Sequence, residues 1–266
     1  MTYVRVGELN LYYERHGRGR PLVLLHGAMG TIESCFAGLL PELARHFEVI
    51  AVELQGHGHT RDIARPLTYG AMAGDVATLL GALDIDRAHS VGYSMGGAVG
   101  LELAIGRPDL VDRLVFAGGA AFDTSGLYPQ LRAGFQSFDP HQLDGSSWHD
   151  AYRRVAPDPD AWLELVAKVN DLDRADVSWP RERLAGLTVP TLLVIGDADI
   201  VRPEHTVEMF RLLGGGVPGD LVGLPSARLA ILPGTTHVGM LERVDWLASM
   251  IVDFLAPGPN GDGDAG

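Results

Sequence analysis

Ser94 stands in Gly92-Tyr93-Ser94-Met95-Gly96, a serine set between two glycines at G-x-S-x-G spacing. A serine hydroxyl becomes a nucleophile only when a base takes its proton and an anion fixes the tautomer of that base. The chain supplies both downstream, in the order Ser, Asp, His. Asp197 or Asp199 lies in Gly196-Asp197-Ala198-Asp199, and His237 closes Gly234-Thr235-Thr236-His237. A sharp strand-to-helix turn at Ser94 would hold it at strained backbone angles and push Oγ into the open. Side chains larger than hydrogen at 92 and 96 would then collide with neighbouring backbone. The same turn leaves the Met95 N–H at a helix N-terminus, pointing at the space where an oxyanion would form. With 34 glycines in 266 residues the pattern can arise by chance, so the flanking elements and the downstream partners must support it.

Those elements alternate. Residues 3–6 and 10–14 read as an antiparallel hairpin around Gly7. Leu22-Val23-Leu24-Leu25 is a continuous apolar run of the kind a buried parallel strand needs, and it runs into His26-Gly27-Ala28-Met29-Gly30. A helical pattern to about 46, a strand at 47–52 and the loop Gln55-Gly56-His57-Gly58-His59-Thr60 come next. A helix over 69–83 follows, with Met72, Val76, Leu79, Leu80 and Leu83 on one face. The strand before Ser94, a helix to about 105 and a strand at 114–117 complete the first half. Further strands are expected at 191–195 and 227–232, and helices at 203–213 and 241–255. Strands and helices at this spacing predict a mostly parallel, twisted α/β sheet with helices on both faces. Ligands of such sheets bind beyond the carboxyl ends of the strands, where the loops carrying Ser94, Asp199 and His237 begin.

Residues 121–186 break the rhythm. They are acidic, helical in pattern and rich in aromatics: Phe122, Tyr128, Phe135, Phe138, Trp148, Tyr152, Trp162 and Trp179. They read as an inserted helical cap between two parts of one core, 1–120 and 187–256. Some of the aromatics would line a pocket while others pack among themselves. The Gly-, Pro- and Asp-rich tail, 257–266, reads as disordered.

Bulk properties narrow the function. The formal net charge of −13 argues against nucleic acid and anionic membrane surfaces, both of which need clustered cations. Lys168 is the single lysine and the one candidate for Schiff-base chemistry, in what reads as an amphipathic helix. Cys35 is the single cysteine, so no intrachain disulfide can form, and it reads as a small core hydrophobe. His57 and His59 stand at i and i+2 with no third ligand nearby, so no metal is expected there. No apolar stretch reaches the 18 or more residues of a membrane span, and no basic segment with an apolar h-region follows Met1. A cytoplasmic location is expected.

From about residue 3 to residue 256 the chain resembles the α/β-hydrolase fold family. The resemblance is carried by the elbow at 92–96, His26-Gly27-x-x-Gly30, Gly56-His57-Gly58, Gly196-x-x-Asp199-x-x-x-Pro203 and Gly234-x-x-His237. It implies Ser94 as nucleophile, His237 as general acid/base and Asp199, ahead of Asp197, as the orienting acid. It further implies an oxyanion hole from the backbone N–H groups of Ala28 and Met95, a structural role for His26, and no cofactor or metal. Glu53 departs from the Asp more usual at that position. A serine nucleophile argues against the branches whose covalent intermediate needs a carboxylate. The expected activity is therefore hydrolysis of small to medium, partly apolar carboxylic esters through an acyl-enzyme. Lactone or enol-lactone hydrolysis, a cofactor-free perhydrolase and carbon–carbon bond hydrolysis are alternatives. The last ranks lower because such enzymes usually carry Asn where this chain has Tyr93. A non-catalytic ligand receptor on the same fold is the alternative from another class.

Overall fold

The computed structural model describes residues 2–119, 121–175 and 178–256. The tail expected at 257–266 lies outside them. The chain opens with an antiparallel hairpin, β1 (Thr2–Val6) and β2 (Leu9–Gly17). Then come β3 (Pro21–Leu25), the short helices α1 (Ile32–Phe36) and α2 (Leu39–Leu43), β4 (Glu48–Glu53) and α3 (Tyr69–Ala82). The centre is β5 (Ala88–Tyr93), α4 (Met95–Gly106) and β6 (Val111–Ala117). The sheet order is β1-β2-β4-β3-β5-β6, continued by β7 (Thr191–Ala198) and β8 (Ala227–Thr236). Every pairing from β4 to β8 is parallel, and β2 alone runs the other way, antiparallel to both of its neighbours, β1 and β4. This is the expected mostly parallel α/β sheet.

Alternation along the strands sorts the core into two layers. Leu22 and Leu24 of β3 pack with Ile32, Phe36 and Leu43 on one face, where the helix Val244–Leu255 adds Leu247, Ile251 and Leu255. Val23 and Leu25 point the other way, onto Met72, Val76, Leu79 and Leu80 of α3 and Val99 and Leu103 of α4. The face read from the α3 sequence is the face that is buried.

Between β6 and β7 lie α5 (Pro129–Gln136), α6 (Ser147–Val155), α7 (Trp162–Arg174) and α8 (Arg181–Ala185), with a single 3₁₀ turn ahead of each of the first three. The buried side chains of this segment, Trp162, Leu165, Val166 and Val169 among them, join the cluster on the α3–α4 face. Lys168 ties α7 to the loop after β4. Its ammonium meets the Asp62 carboxylate and donates to the carbonyls of Ile63 (2.8 Å) and Arg65 (3.2 Å). The lone lysine is thus a staple, engaged on every side that the loop offers. After β7 come α9 (Pro203–Leu212) and the short α10 (Gly219–Val222).

Several boundaries differ from expectation by a few residues: β6 starts at Val111, β7 runs to Ala198 and the last helix starts at Val244. Two differences have a clear cause. The helical pattern to about 46 is two short helices, because Pro41 sits in the first turn of α2 and its ring would clash with the carbonyl of residue 37 in a continuous helix. The last strand runs to Thr236 instead of ending at 232. A register shift between Gly196 and Ala198 lets β8 continue beside β7, and the Asp197 carboxylate accepts from the N–H groups of Gly234 (3.0 Å) and Thr235 (3.1 Å). No helix among the described residues is long and apolar enough to cross a membrane.

Candidate active site

Ser94 joins β5 to α4 with φ 53° and ψ −119°, a left-handed conformation that non-glycine residues rarely adopt. The two glycines of the motif make the turn possible. A Cβ at Gly92 would run into the Gly96 carbonyl, and a Cβ at Gly96 into the Leu25 carbonyl of β3. Met95 begins α4, so its N–H is one of the donors a helix leaves unpaired at its start.

His237 follows β8 and presents both ring nitrogens to the expected partners. Nε2 lies 2.9 Å from Ser94 Oγ, and Nδ1 lies 2.8 Å from Asp199 Oδ1. Asp199 is buried past the end of β7, and Oδ1 also accepts from the Ile200 N–H at 2.7 Å. Asp197 does something else. It is the loop pin at Gly234 and Thr235, on the strand end that delivers His237. The backbone hydrogen bonds it accepts there hold its carboxyl below the usual range. The structure therefore brings Ser94, His237 and Asp199 together and leaves Asp197 outside.

Tyr93 was a variable position in the motif, yet its hydroxyl donates 2.9 Å to the His237 carbonyl. Its ring fits between Gly27 and Gly118, where an added Cβ would come within 2.8 Å and 2.7 Å of it. Burial pushes the phenol well above its ordinary pKa, so it acts as a neutral donor. No local pattern could have found this bond, because its partners stand 144 residues apart.

The loops around the serine are held by buried polar groups. His26 Nδ1 donates to the Gly27 carbonyl (2.8 Å) while Nε2 accepts from the Leu54 N–H (3.0 Å), a structural role as expected. Burial, with His57 beside it, lowers the His26 pKa to about 3, and burial lowers that of His57 to about 4. Glu53, the departure at the end of β4, accepts from the N–H groups of Ile32 (3.1 Å) and His59 (2.5 Å) and meets His59 Nδ1 at 2.8 Å. The longer carboxylate bridges two loops, which sequence reasoning passed over. His57 and His59 thus have protein partners, and no group of three or more His, Cys, Asp or Glu among the described residues could hold a metal.

A cavity of about 740 Å³ opens on Ser94 and His237. Ala28, Met95, Cys35, Tyr93 and Phe116 line it from the core, and Leu131, Phe135, Trp148, Leu172 and Trp179 from residues 121–186. The aromatics of that segment divide accordingly. Phe135, Trp148 and Trp179 face the cavity, whereas Phe122 stacks on His205 (4.0 Å between ring centroids) and Trp162 on His149 (5.1 Å). Cys35 reaches the wall instead of lying wholly in the core, and burial pushes its thiol up to about 11, so it carries no thiolate at neutral pH.

The chain matches the family described as alpha/beta hydrolase fold over residues 20–145. A protein of Azorhizobium caulinodans named "Putative carbamate hydrolase RutD" is 30% identical over 96% of this chain and 98% of its own. The 2-hydroxy-6-oxo-6-(2'-aminophenyl)hexa-2,4-dienoic acid hydrolase of Metapseudomonas resinovorans is 26% identical over 96% of this chain and 90% of its own. Among solved structures, a serine hydrolase involved in carbazole degradation (CarC enzyme) superposes with a TM-score of 0.75 at 25% identity, covering 96% of this chain and 97% of its own. The chain belongs to the α/β-hydrolase fold family and is a hydrolase of that fold.

Proposed function

We propose that this protein is a serine esterase cleaving small to medium, partly apolar carboxylic esters through an acyl-enzyme. The observation behind it is the hydrogen-bonded series Ser94–His237–Asp199, at 2.9 Å and 2.8 Å, opening on a largely apolar cavity. In this reading His237 takes the Ser94 proton as Oγ attacks the ester carbonyl, and Asp199 stabilises the imidazolium. The N–H groups of Ala28 and Met95 receive the oxyanion. The imidazolium then protonates the leaving alkoxide, and water repeats the cycle on the acyl-enzyme. General acid–base help is worth about 10²–10⁴-fold and an oxyanion donor about 10²–10³-fold.

Residues 121–186 are read as the cap that closes the cavity and selects the substrate. The carbamate named for the Azorhizobium relative would be cleaved by the same attack on a carbonyl, so a carbamate belongs beside esters and lactones in the assay. The carbon–carbon hydrolase reading draws on the Metapseudomonas relative but ranks below, because Tyr93 is committed to the His237 carbonyl.

The test is turnover of a p-nitrophenyl ester series and labelling by a fluorophosphonate. Wild type should do both, and Ser94→Ala should lose about 10⁵–10⁶ in kcat and all labelling. A wild-type protein that shows neither is a binding protein on this fold, and the esterase reading is then wrong.

A further inference from the structure

One largely buried carboxylate in the cavity wall has no hydrogen-bond or ion-pair partner among the described residues. Asp173 stands in the last turn of α7 and lines the cavity together with Ser94 and His237. Among the described residues it makes no hydrogen bond and no ion pair. The other cavity-lining acids differ from it. Asp123 accepts from the Ser125 N–H at 2.8 Å, and Asp150 is solvent-exposed in the first turn of α6.

The setting of Asp173 is unfavourable on two counts. A helix C-terminus carries the negative end of the helix dipole, and an apolar wall disfavours any charge. Burial raises its pKa to about 7, against which the nearby His237 pulls only partly. Its charge is felt at the Tyr69 phenol, whose pKa it helps to raise, and the cavity that both line has aromatic walls. Tyr69 and Trp179 stack with centroids 5.7 Å apart, and both line the cavity with Trp148 and Phe135. A site that spends stability on an unpaired carboxylate among π-faces is built to receive something.

We propose that Asp173 selects substrates bearing a positively charged nitrogen, which pairs with its carboxylate against the aromatic wall of Tyr69, Trp148 and Trp179. Ring faces attract cations, and the attraction grows where water is excluded. The charge balance of the lining favours a cation over an anion. Asp123, Asp150 and Asp173 stand against Arg154 alone, and Arg154 is exposed. The net charge of −13 steers in the same direction. The scissile bond in this inference rests on the esterase reading, whereas the cation site rests on the cavity.

Two measurements test it. The first compares kcat/KM for butyrylcholine and for 3,3-dimethylbutyl butyrate, in which a tert-butyl group replaces the trimethylammonium. Wild type should prefer the cation by at least about tenfold, and Asp173→Asn should bring the ratio close to one. An effect of Asp173 exerted through His237 would move both esters together and leave the ratio unchanged. A wild-type ratio at or below one, or an unchanged ratio in Asp173→Asn, overturns the proposal. The second measurement is calorimetric titration with benzyltrimethylammonium, which needs no turnover. Wild type and Ser94→Ala should bind it alike, and Asp173→Asn should bind at least about tenfold more weakly. Absent binding to wild type, or equal binding to Asp173→Asn, also overturns it. If neither ester is hydrolysed the esterase reading fails, and the titration still decides the cation site.

Discussion

The Tyr93 hydroxyl, one residue before Ser94, donates 2.9 Å to the main-chain carbonyl of His237. The turn at Ser94 and the loop bearing His237 are thus tied directly, and the tie sits beside the 2.9 Å contact between Ser94 and the imidazole. Tyr93→Phe keeps the ring between Gly27 and Gly118 and removes only the bond. A hydrogen bond of this kind contributes about 0.5–1.5 kcal/mol. The variant should therefore lose about 3–10-fold in kcat with KM nearly unchanged, and fluorophosphonate labelling should slow in the same proportion. Loss confined to KM would show that the bond does not position His237.

Asp197 and Asp199 are two residues apart with different work. Asp199→Asn removes the anion beside His237 Nδ1 and should cost about 10³–10⁴ in kcat. Asp197→Asn disturbs only the pin on Gly234 and Thr235, so it should cost less than about tenfold while lowering thermal stability slightly. Steady-state kinetics on one p-nitrophenyl ester decides between them, and the reverse ranking would overturn the assignment.

The neutral imidazoles of His26 and His57 set a pH dependence of stability. Their pKa values in the folded protein are about 3 and about 4, below the ordinary 6.5. Between pH 6.5 and 4 the unfolded chain therefore binds protons that the folded one does not, and stability falls as pH falls. Each ring contributes about 1.4 kcal/mol per pH unit in that window. His57→Asn retains a donor for the Gln55 carbonyl and removes one titrating ring. Urea unfolding should show the variant gaining on wild type by about 1.4 kcal/mol per unit as pH drops from 6 to 4.5, with no such trend above pH 7.

Asp173 has the opposite sign. Its folded pKa of about 7 lies above the ordinary 3.8, so the folded state keeps a proton that the unfolded state has released. Stability is lost as pH rises from about 4 to about 7, and the deficit is complete above that. Asp173→Asn should be more stable than wild type at pH 8 by about 1–3 kcal/mol, and equal to it near pH 4. Scanning calorimetry at the two pH values reads this directly. A variant less stable at pH 8 would mean the carboxylate is needed by the fold.

Lys168→Met deletes the ammonium that joins α7 to Asp62 and to the Ile63 and Arg65 carbonyls. Asp62 would keep the Gln55 amide at 2.8 Å as a partner. The expected cost is about 1–3 kcal/mol, since a partly buried pair loses one member. Limited proteolysis should cut faster within 121–186, and KM should rise more than kcat falls. Unchanged proteolysis would make the staple dispensable.

Much of the architecture is legible in the chain because it depends on local rules. Continuous apolar runs mark β3 and the end of β6 (Leu114-Val115-Phe116-Ala117) as strands buried on both faces, and the spacing of Met72, Val76, Leu79 and Leu80 marks the inner side of α3. Gly92 and Gly96 announce a turn that no other residue type allows. The order Ser94, Asp199, His237 follows from placing loops at the carboxyl ends of parallel strands. What tertiary structure decided involves partners far apart in sequence. The division of labour between Asp197 and Asp199 depends on a register shift beside β8, and the bond from Tyr93 to His237 spans 144 residues. The Glu53 bridge between two loops and the Lys168 staple need the packed fold. So does the split of the aromatics between cavity and core: Trp148, Trp162 and Trp179 look alike as sequence, and only packing turns two toward Ser94 and one away. Periodicity reports which side of an element is apolar. It does not report what a polar group will meet there, and the substrate is chosen at that level.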